Sequence, residues 1–249
     1  MVAAQLSVLV LTEDTGEDAH ATVIAVARKL LLLLEPGLDM ERIRFSRADE
    51  RARAGMGFNC YKSSNPRDYG KKVSLAQAIA THLLIADFPT AVFVHIDGDG
   101  PWSSRHPEHL CDNVRCFQDD IRERVRALLV GRGASEQLDH LALLVPFWSI
   151  ESWLFQNTRV ALELCRKHHP RYARAVPLFE AWKDTPAALD EYERPKDAVS
   201  FGSKFNRELA ENDFPAGRLK RLGLSFADTL ERAGNPSLRR LLASLTHHA

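Results

Sequence analysis

The sequence predicts an α/β fold: a parallel sheet with helices on both faces, followed by a mostly helical C-terminal region. Three observations carry this. Short apolar, β-rich runs recur at Leu6–Leu11, Ala91–Ile96 and Leu141–Val145, and Met40–Phe45 fits a further, more polar strand. Stretches with apolar residues at helical spacing separate them, the pattern of parallel strands joined by crossover helices. Acids follow three of the runs closely: Glu13, Asp97 with Asp99, and Glu151. In an open parallel sheet the functional crevice lies beyond the carboxyl ends of the strands, so acids distant in sequence should meet there.

Leu6-Ser7-Val8-Leu9-Val10-Leu11 forms the first strand, with Glu13 at its carboxyl end. Val23, Ile24, Ala27, Leu30, Leu31 and Leu34 then recur at helical spacing from about residue 17, and Pro36-Gly37 stops that helix. Met40 to Phe45 is the second strand. Residues 55–70 are rich in Gly, Asn, Ser and Pro and read as a long loop, after which Ser74 would cap a helix over 74–86. Ala91 to Ile96 runs straight into Asp97-Gly98-Asp99-Gly100. A charged helix is expected over 108–129 and a fourth strand over 141–145. Helices follow at about 150–169, 171–182, 205–211 and 237–245. The expected division is an α/β core over 1–155 and a helical extension over 156–249 packed on it.

With 249 residues the chain can bury a substantial core, and 45% hydrophobic with 27% charged residues is ordinary for a globular protein. The formal net charge is zero, so no global field draws it to nucleic acid or membrane. Residues 1–150 carry 17 Lys and Arg against 20 Asp and Glu, and residues 151–249 carry 16 against 13. An acidic half and a slightly basic half fit a metal site and its partner surface. Cys60, Cys111, Cys116 and Cys165 form no Cys-x-x-Cys pair, and no signal peptide is evident. Reduced thiols in a cytoplasm are the simplest expectation. Leu30 to Leu34 is too short to span a bilayer, so no membrane association is expected.

Asp97 and Asp99, two residues apart past a strand, can point the same way because side chains alternate along extended backbone. Close carboxylates repel unless a cation lies between them, and a hard cation such as Mg²⁺ prefers carboxylate oxygen. Each acid also has a plainer use. Asp-Gly-Asp-Gly makes a tight turn by itself. Asp14 and Glu17 fit a capping box. Glu151 near a helix start suits the helix dipole. His106, His109 and Cys111 lack the paired spacing of a structural zinc site. Phe147, Trp148, Trp153 and Phe155 suit core packing, and Arg122, Arg124 and Arg126 an exposed helix face. Lys62, Arg67, Lys71 and Lys72 could touch a phosphate backbone or simply be solvated.

In this order and spacing the residues resemble the Toprim domains of topoisomerases, primases and nucleases. Those domains carry a Glu after the first strand, here Glu13, and an Asp-x-Asp after a later one, here Asp97-Gly98-Asp99. The likeness is greater to OLD-type Toprim nucleases and small Toprim-like proteins of bacterial defence. These add an acid four residues on (Glu17), a Ser-x-Glu (Ser149-Ile150-Glu151) opening a helix as in Glu151-Ser152-Trp153-Leu154, and a later lysine (Lys204). Asp14 stands where the family usually has glycine. The resemblance implies a Toprim-like, Rossmann-like sheet with Glu13, Glu17, Asp97, Asp99 and Glu151 holding Mg²⁺ or Mn²⁺. Paired ions of this kind, about 4 Å apart, clamp the attacking and leaving oxygens of a phosphodiester. Lys204, with Lys196 competing for the role, would stabilise the transition state as a fixed positive charge. The implied activity is hydrolysis of nucleic acid, DNA rather than RNA, in anti-phage defence. The larger relatives carry an ATPase, so a separate ATPase is an implied partner, and a homodimer is a further expectation. Two other classes stay open: a non-catalytic binding or regulatory subunit of the same fold, and, ranked last, a metal-dependent transferase holding a nucleotide-sugar diphosphate.

Overall fold

A computed structural model describes residues 6–14, 16–56, 66–85, 87–99, 110–183, 196, 202–212, 214 and 224–246. Four strands, β1 (Leu6–Thr12), β2 (Ile43–Arg47), β3 (Thr90–His95) and β4 (Leu141–Leu144), make one sheet in the order β2-β1-β3-β4. Every pairing is parallel, with Val10 beside Arg47 and Phe93, and Val94 beside Leu143. β1 and β3 are buried along their whole length, which explains why they read as unbroken apolar runs. The fold is α/β and Rossmann-like, as the alternation of elements predicts.

Side chains alternate across β1 and divide the interior in two. Leu6, Val8 and Val10 face a core shared with α1 (Glu17–Leu34), while Leu9 and Leu11 face one shared with the helix over Pro66–Leu83. Between them lies a short helix, α2 (Glu50–Arg53), capped by Asp49, so the Pro66–Leu83 helix is α3. Its sheet face is joined by α4 (Asp112–Cys116), which runs through a π-helical stretch (Phe117–Arg122) into α5 (Glu123–Val130).

On the α1 side, one helix is too narrow to cover β3 and β4 as well. The C-terminal helices complete that layer: α6 (Glu151–Leu154), α7 (Thr158–Glu163), α8 (Val176–Trp182), α9 (Ser203–Glu211), α10 (Phe226–Ala233) and α11 (Pro236–Thr246). Phe93, Leu144, Trp153, Phe155, Phe205 and Phe226 belong to one continuous core there. The Trp153 ring meets Phe226 edge to face at 5.3 Å, and its Nε1 donates to the Leu224 carbonyl at 3.0 Å. Phe147, Trp148, Trp153 and Phe155 are all buried, as packing predicts.

Several boundaries differ from expectation. α3 begins at Pro66 rather than Ser74, because proline suits a first helical position; Ser74 lies inside the helix and donates to the Gly70 carbonyl at 3.0 Å. Met40–Arg42 is a 3₁₀ turn, and strand pairing starts at Ile43. The expected 150–169 helix breaks after Leu154, where Asn157 caps α7. The helix α10 was not expected, although its Ser225–Asp228 capping box is visible in the sequence. The Asp14–Glu17 capping box does not form: Gly16 is the N-cap of α1, with no side-chain cap. Cys60, Lys62, His106, His109, His247 and His248 lie outside the described residues.

Candidate active site

The strand order puts β1 and β3 side by side at the centre, with β2 and β4 outside them. Chain connections leave β1 and β3 in opposite directions, so the crevice between their carboxyl ends is the topological switch point. Glu13 follows β1 there and Asp97 follows β3. The Asp97 N–H donates to Glu13 Oε1 at 3.1 Å, and the Ile150 N–H donates to Asp97 Oδ1 at 3.1 Å. Three chain segments, after β1, β3 and β4, are thereby tied at one point.

The Asp97-Gly98-Asp99 turn is held from several sides. The Asp99 N–H donates to the Trp148 carbonyl at 2.8 Å. A Cβ on Gly98 would press on the Pro146 carbonyl oxygen and stand 2.8 Å from the Trp148 nitrogen, so this position requires glycine. Trp148 has a φ of 57°, rare for a bulky residue, and the Ser149 N–H closes a tight turn around it onto the Phe147 carbonyl at 2.7 Å. Asn113, fully buried on α4, donates its Nδ2 to the Asp97 carbonyl at 2.6 Å and to the Gly98 carbonyl at 3.1 Å. These contacts satisfy the turn's backbone oxygens, and the Asp97 side chain lines the crevice while that of Asp99 is buried beside it.

The electrostatics are those of crowded acids. Burial pushes the Glu13 carboxyl up to about 7, against the Asp97 N–H hydrogen bond and with help from the Asp14 and Asp99 charges. Burial, then repulsion by Glu13, Glu151 and Asp99, holds Asp97 well above the usual carboxylate range. Asp14 is raised by burial and by Glu151. Lys196 opposes all three shifts, and its Nζ pairs with the buried Asp99 Oδ2. His95, with Nδ1 3.2 Å from Thr12 Oγ1 and Nε2 3.5 Å from Asp97 Oδ1, is lowered to about 4 by burial and stays neutral.

Five of the sequence-predicted residues converge: Glu13, Asp97, Asp99, Glu151 and Lys196. Two do not. Glu17 opens α1 exposed, and no described contact ties it to the other acids. Lys204 is exposed on α9 and lies 3.8 Å from Glu208 one turn on, so Lys196 is the lysine beside the acids. Lys71 and Lys72 are engaged by Asp68 and Asp120 at 3.0 and 2.8 Å. Arg124 and Arg126 pair along their own helix with Asp120 and Glu123.

Asp14, His95, Asn113 and Asn206 were not foreseen in the site. A polar residue inside an apolar strand marks His95, but a single Asn near a helix start reads as a cap, which hides Asn113 and Asn206. Asn206 donates Nδ2 to Glu151 Oε1 at 2.8 Å. Beside the acids lies a cavity of about 200 Å³ lined by Asp14, Thr22, His95, Asp97, Glu151 and Asn206, among others.

Among the described residues, no three His, Cys, Asp or Glu side chains stand together as a complete metal-ligand set. The donors of the crevice are mostly carboxylate oxygens, with the His95 imidazole beside Asp97, a set that suits a hard divalent cation better than a soft one. No described helix is long and apolar enough to cross a membrane. The chain matches no family model, no curated protein and no solved structure.

Proposed function

We propose that this chain is a Toprim-type nuclease of the cytoplasm that hydrolyses nucleic-acid phosphodiesters, DNA rather than RNA, with Mg²⁺ or Mn²⁺, and acts in bacterial anti-phage defence. One observation carries this reading. Glu13 and Asp97 reach the switch point from different strands, and burial and mutual repulsion raise both carboxyls. Such acids take up protons or a cation. Glu13, Asp97, Asp99 and Glu151 would hold the ion. Bound there, it would supply Lewis-acid stabilisation of the phosphoryl oxygens and a more acidic water.

The chain's own groups have separate tasks. Asn113 and the Ile150 N–H orient Asp97. Lys196 is a fixed positive charge beside Asp99 that can neutralise charge developing on a phosphate. Neutral His95 packs against Asp97 without adding a competing cation.

The test is cleavage of supercoiled plasmid, linear DNA and structured RNA with Mg²⁺ or Mn²⁺, comparing wild type with Asp97→Ala. Cleavage by wild type that disappears in the variant is expected. Cleavage that survives Asp97→Ala would refute the assignment.

A second reading, a non-catalytic subunit working with a separate ATPase, draws on the Lys196–Asp99 pair: a resident ammonium already neutralises one of the acids. It predicts no cleavage by the chain alone and a stable complex with the ATPase.

A further inference from the structure

We propose that the exposed cationic stretch centred on Arg171 and Arg174 grips the phosphate backbone of nucleic acid and guides it over the amino end of α9 to the acids. The proposal rests on the nuclease reading above and adds to it the surface that holds the substrate.

The chain is neutral as a whole, but its charge is not evenly spread. Residues 159–183 hold six Lys and Arg against two Glu, so the positive excess of the second part of the chain lies here. A local field of this kind attracts polyanions even where the net charge is zero. The two acids are outnumbered. Glu180 is shared by Arg166 and Lys183, and Glu163 is taken by Lys167 at 2.8 Å. Arg171 and Arg174 are exposed and form no ion pair among the described residues. Lys72 and Arg124, by contrast, are both neutralised by Asp120.

Arg171 and Arg174 lie three residues apart in the 3₁₀ turn Pro170–Ala175. Side chains at that spacing eclipse, so the two guanidinium groups share one face of the turn, while Tyr172 and Ala175 share a buried one. The Arg171 guanidinium lies over the Tyr172 ring, 4.8 Å from its centroid, a contact that orients it without cancelling its charge.

This turn is fixed to the rim of the acid site. His169 Nε2 meets Glu208 Oε2 of α9 at 2.8 Å. The Gly202 N–H donates to the Tyr172 hydroxyl at 2.5 Å, and a Cβ on Gly202 would stand 3.3 Å from Arg171 Nη2. The next residue, Ser203, lines the cavity with Asp14, Asp97 and Glu151. A nucleic-acid strand can occupy both places at once, with some phosphates on the arginine forks and another at the acids. An anionic membrane fits less well, because no large apolar side chain over 159–183 is exposed to insert into it.

The test measures binding of fluorescein-labelled DNA to the whole chain by anisotropy in EDTA, from about 50 to 200 mM salt. Wild type is compared with Arg171→Ala/Arg174→Ala, with Arg171→Lys/Arg174→Lys, and with Arg44→Ala/Arg132→Ala, which removes two exposed arginines elsewhere. The Arg171/Arg174 alanine pair is expected to weaken binding on the order of 10-fold or more and to reduce the slope against log salt by roughly 2. The lysine pair should keep most of the affinity, and the Arg44/Arg132 pair should bind as wild type does. Arg174→Ala alone covers the case in which the alanine pair folds poorly. If the alanine pair binds as wild type does, or the Arg44/Arg132 pair weakens binding equally, the proposal falls and the nuclease reading stands. If wild type binds neither DNA nor RNA at the lowest salt, both fall. Binding of phosphatidylserine vesicles, lost in the alanine pair, with no binding of DNA would assign the face to a membrane and overturn the proposal.

Discussion

The Nδ2 of Asn113 lies 2.6 Å from the carbonyl oxygen of Asp97 and also reaches that of Gly98. A neutral side chain on α4 thus sets the backbone of the acidic turn, while the carboxylates find other partners, the Ile150 N–H for Asp97 and Lys196 for Asp99. Asn113→Asp replaces the donor with an acceptor facing two carbonyls. The expected cost is about 1–3 kcal/mol for each carbonyl left unpaired, together with weaker Mn²⁺ binding. Denaturant unfolding and Mn²⁺ titration on the same sample check both. Wild-type Mn²⁺ affinity in a destabilised Asn113→Asp would show that the clamp serves the fold alone.

Gly98→Ala tests the close approach to the loop after β4. The added methyl meets backbone, which cannot rotate away as a side chain can. Overpacking of this kind costs about 1–3 kcal/mol, at roughly 2–4 °C per kcal/mol in a chain of this size. A Tm equal to wild type by calorimetry would contradict the geometry.

The two lysines should separate cleanly. Lys204 is exposed, and Lys204→Ala should change stability by less than about 0.5 kcal/mol and leave cleavage unchanged. Lys196→Ala removes the partner of Asp99 and should lower the cleavage rate on the order of 10²- to 10³-fold while Mn²⁺ binding is kept. The opposite ranking in a plasmid assay would return the role to Lys204.

Stability should depend on pH in a direction that metal reverses. Glu13 is raised from 4.5 to about 7 in the fold, and Asp97 is raised as well. A group raised on folding contributes stability that is complete below its unfolded value and lost as pH rises through its folded one. In EDTA, Tm should therefore carry a falling contribution between about pH 4.5 and 7. A cation competes with protons for the same oxygens, so the Mg²⁺-induced rise in Tm should grow from pH 5.5 to 8. A rise that is flat across this range would remove these carboxyls from the metal site.

Removing the chain beyond residue 155 should leave no stable fold. It strips the cover from Phe93, Leu144, Trp153 and Phe155, and Trp153 loses its Leu224 acceptor. Each large apolar side chain newly exposed costs about 1.5–3 kcal/mol. Loss of near-UV circular dichroism and aggregation on size exclusion are expected; a monomer with a sharp thermal transition would refute this.

Some of this was legible in the sequence for clear reasons. β1 and β3 are covered on both faces, so their apolar runs are unbroken. Parallel strands also force their carboxyl ends to one edge, which makes Glu13 and Asp97 neighbours at 84 residues' separation. What was hidden depends on long-range packing. Nothing local distinguishes Lys196 from Lys204, because the choice is made by the Asp99 carboxylate. The role of Asn113 appears only when α4 folds back over the turn. The sequence points to Ser74 as the start of α3 because Gly70 and Ser74 suggest a break, whereas an exposed Gly70 with open space around it is tolerated inside a helix.

The ion pair between Arg207 Nη1 and Asp18 Oδ1, 2.6 Å apart and 189 residues distant in sequence, belongs to the same α9–α1 contact that brings Asn206 to the acids. Contacts of such long range form late, after many residues have been ordered. During synthesis the domain would emerge with its first acids already translated and its pocket still open on one side. The last wall arrives only when α9 has cleared the ribosome. The pocket beside the acids is therefore closed only once α9 has docked on α1.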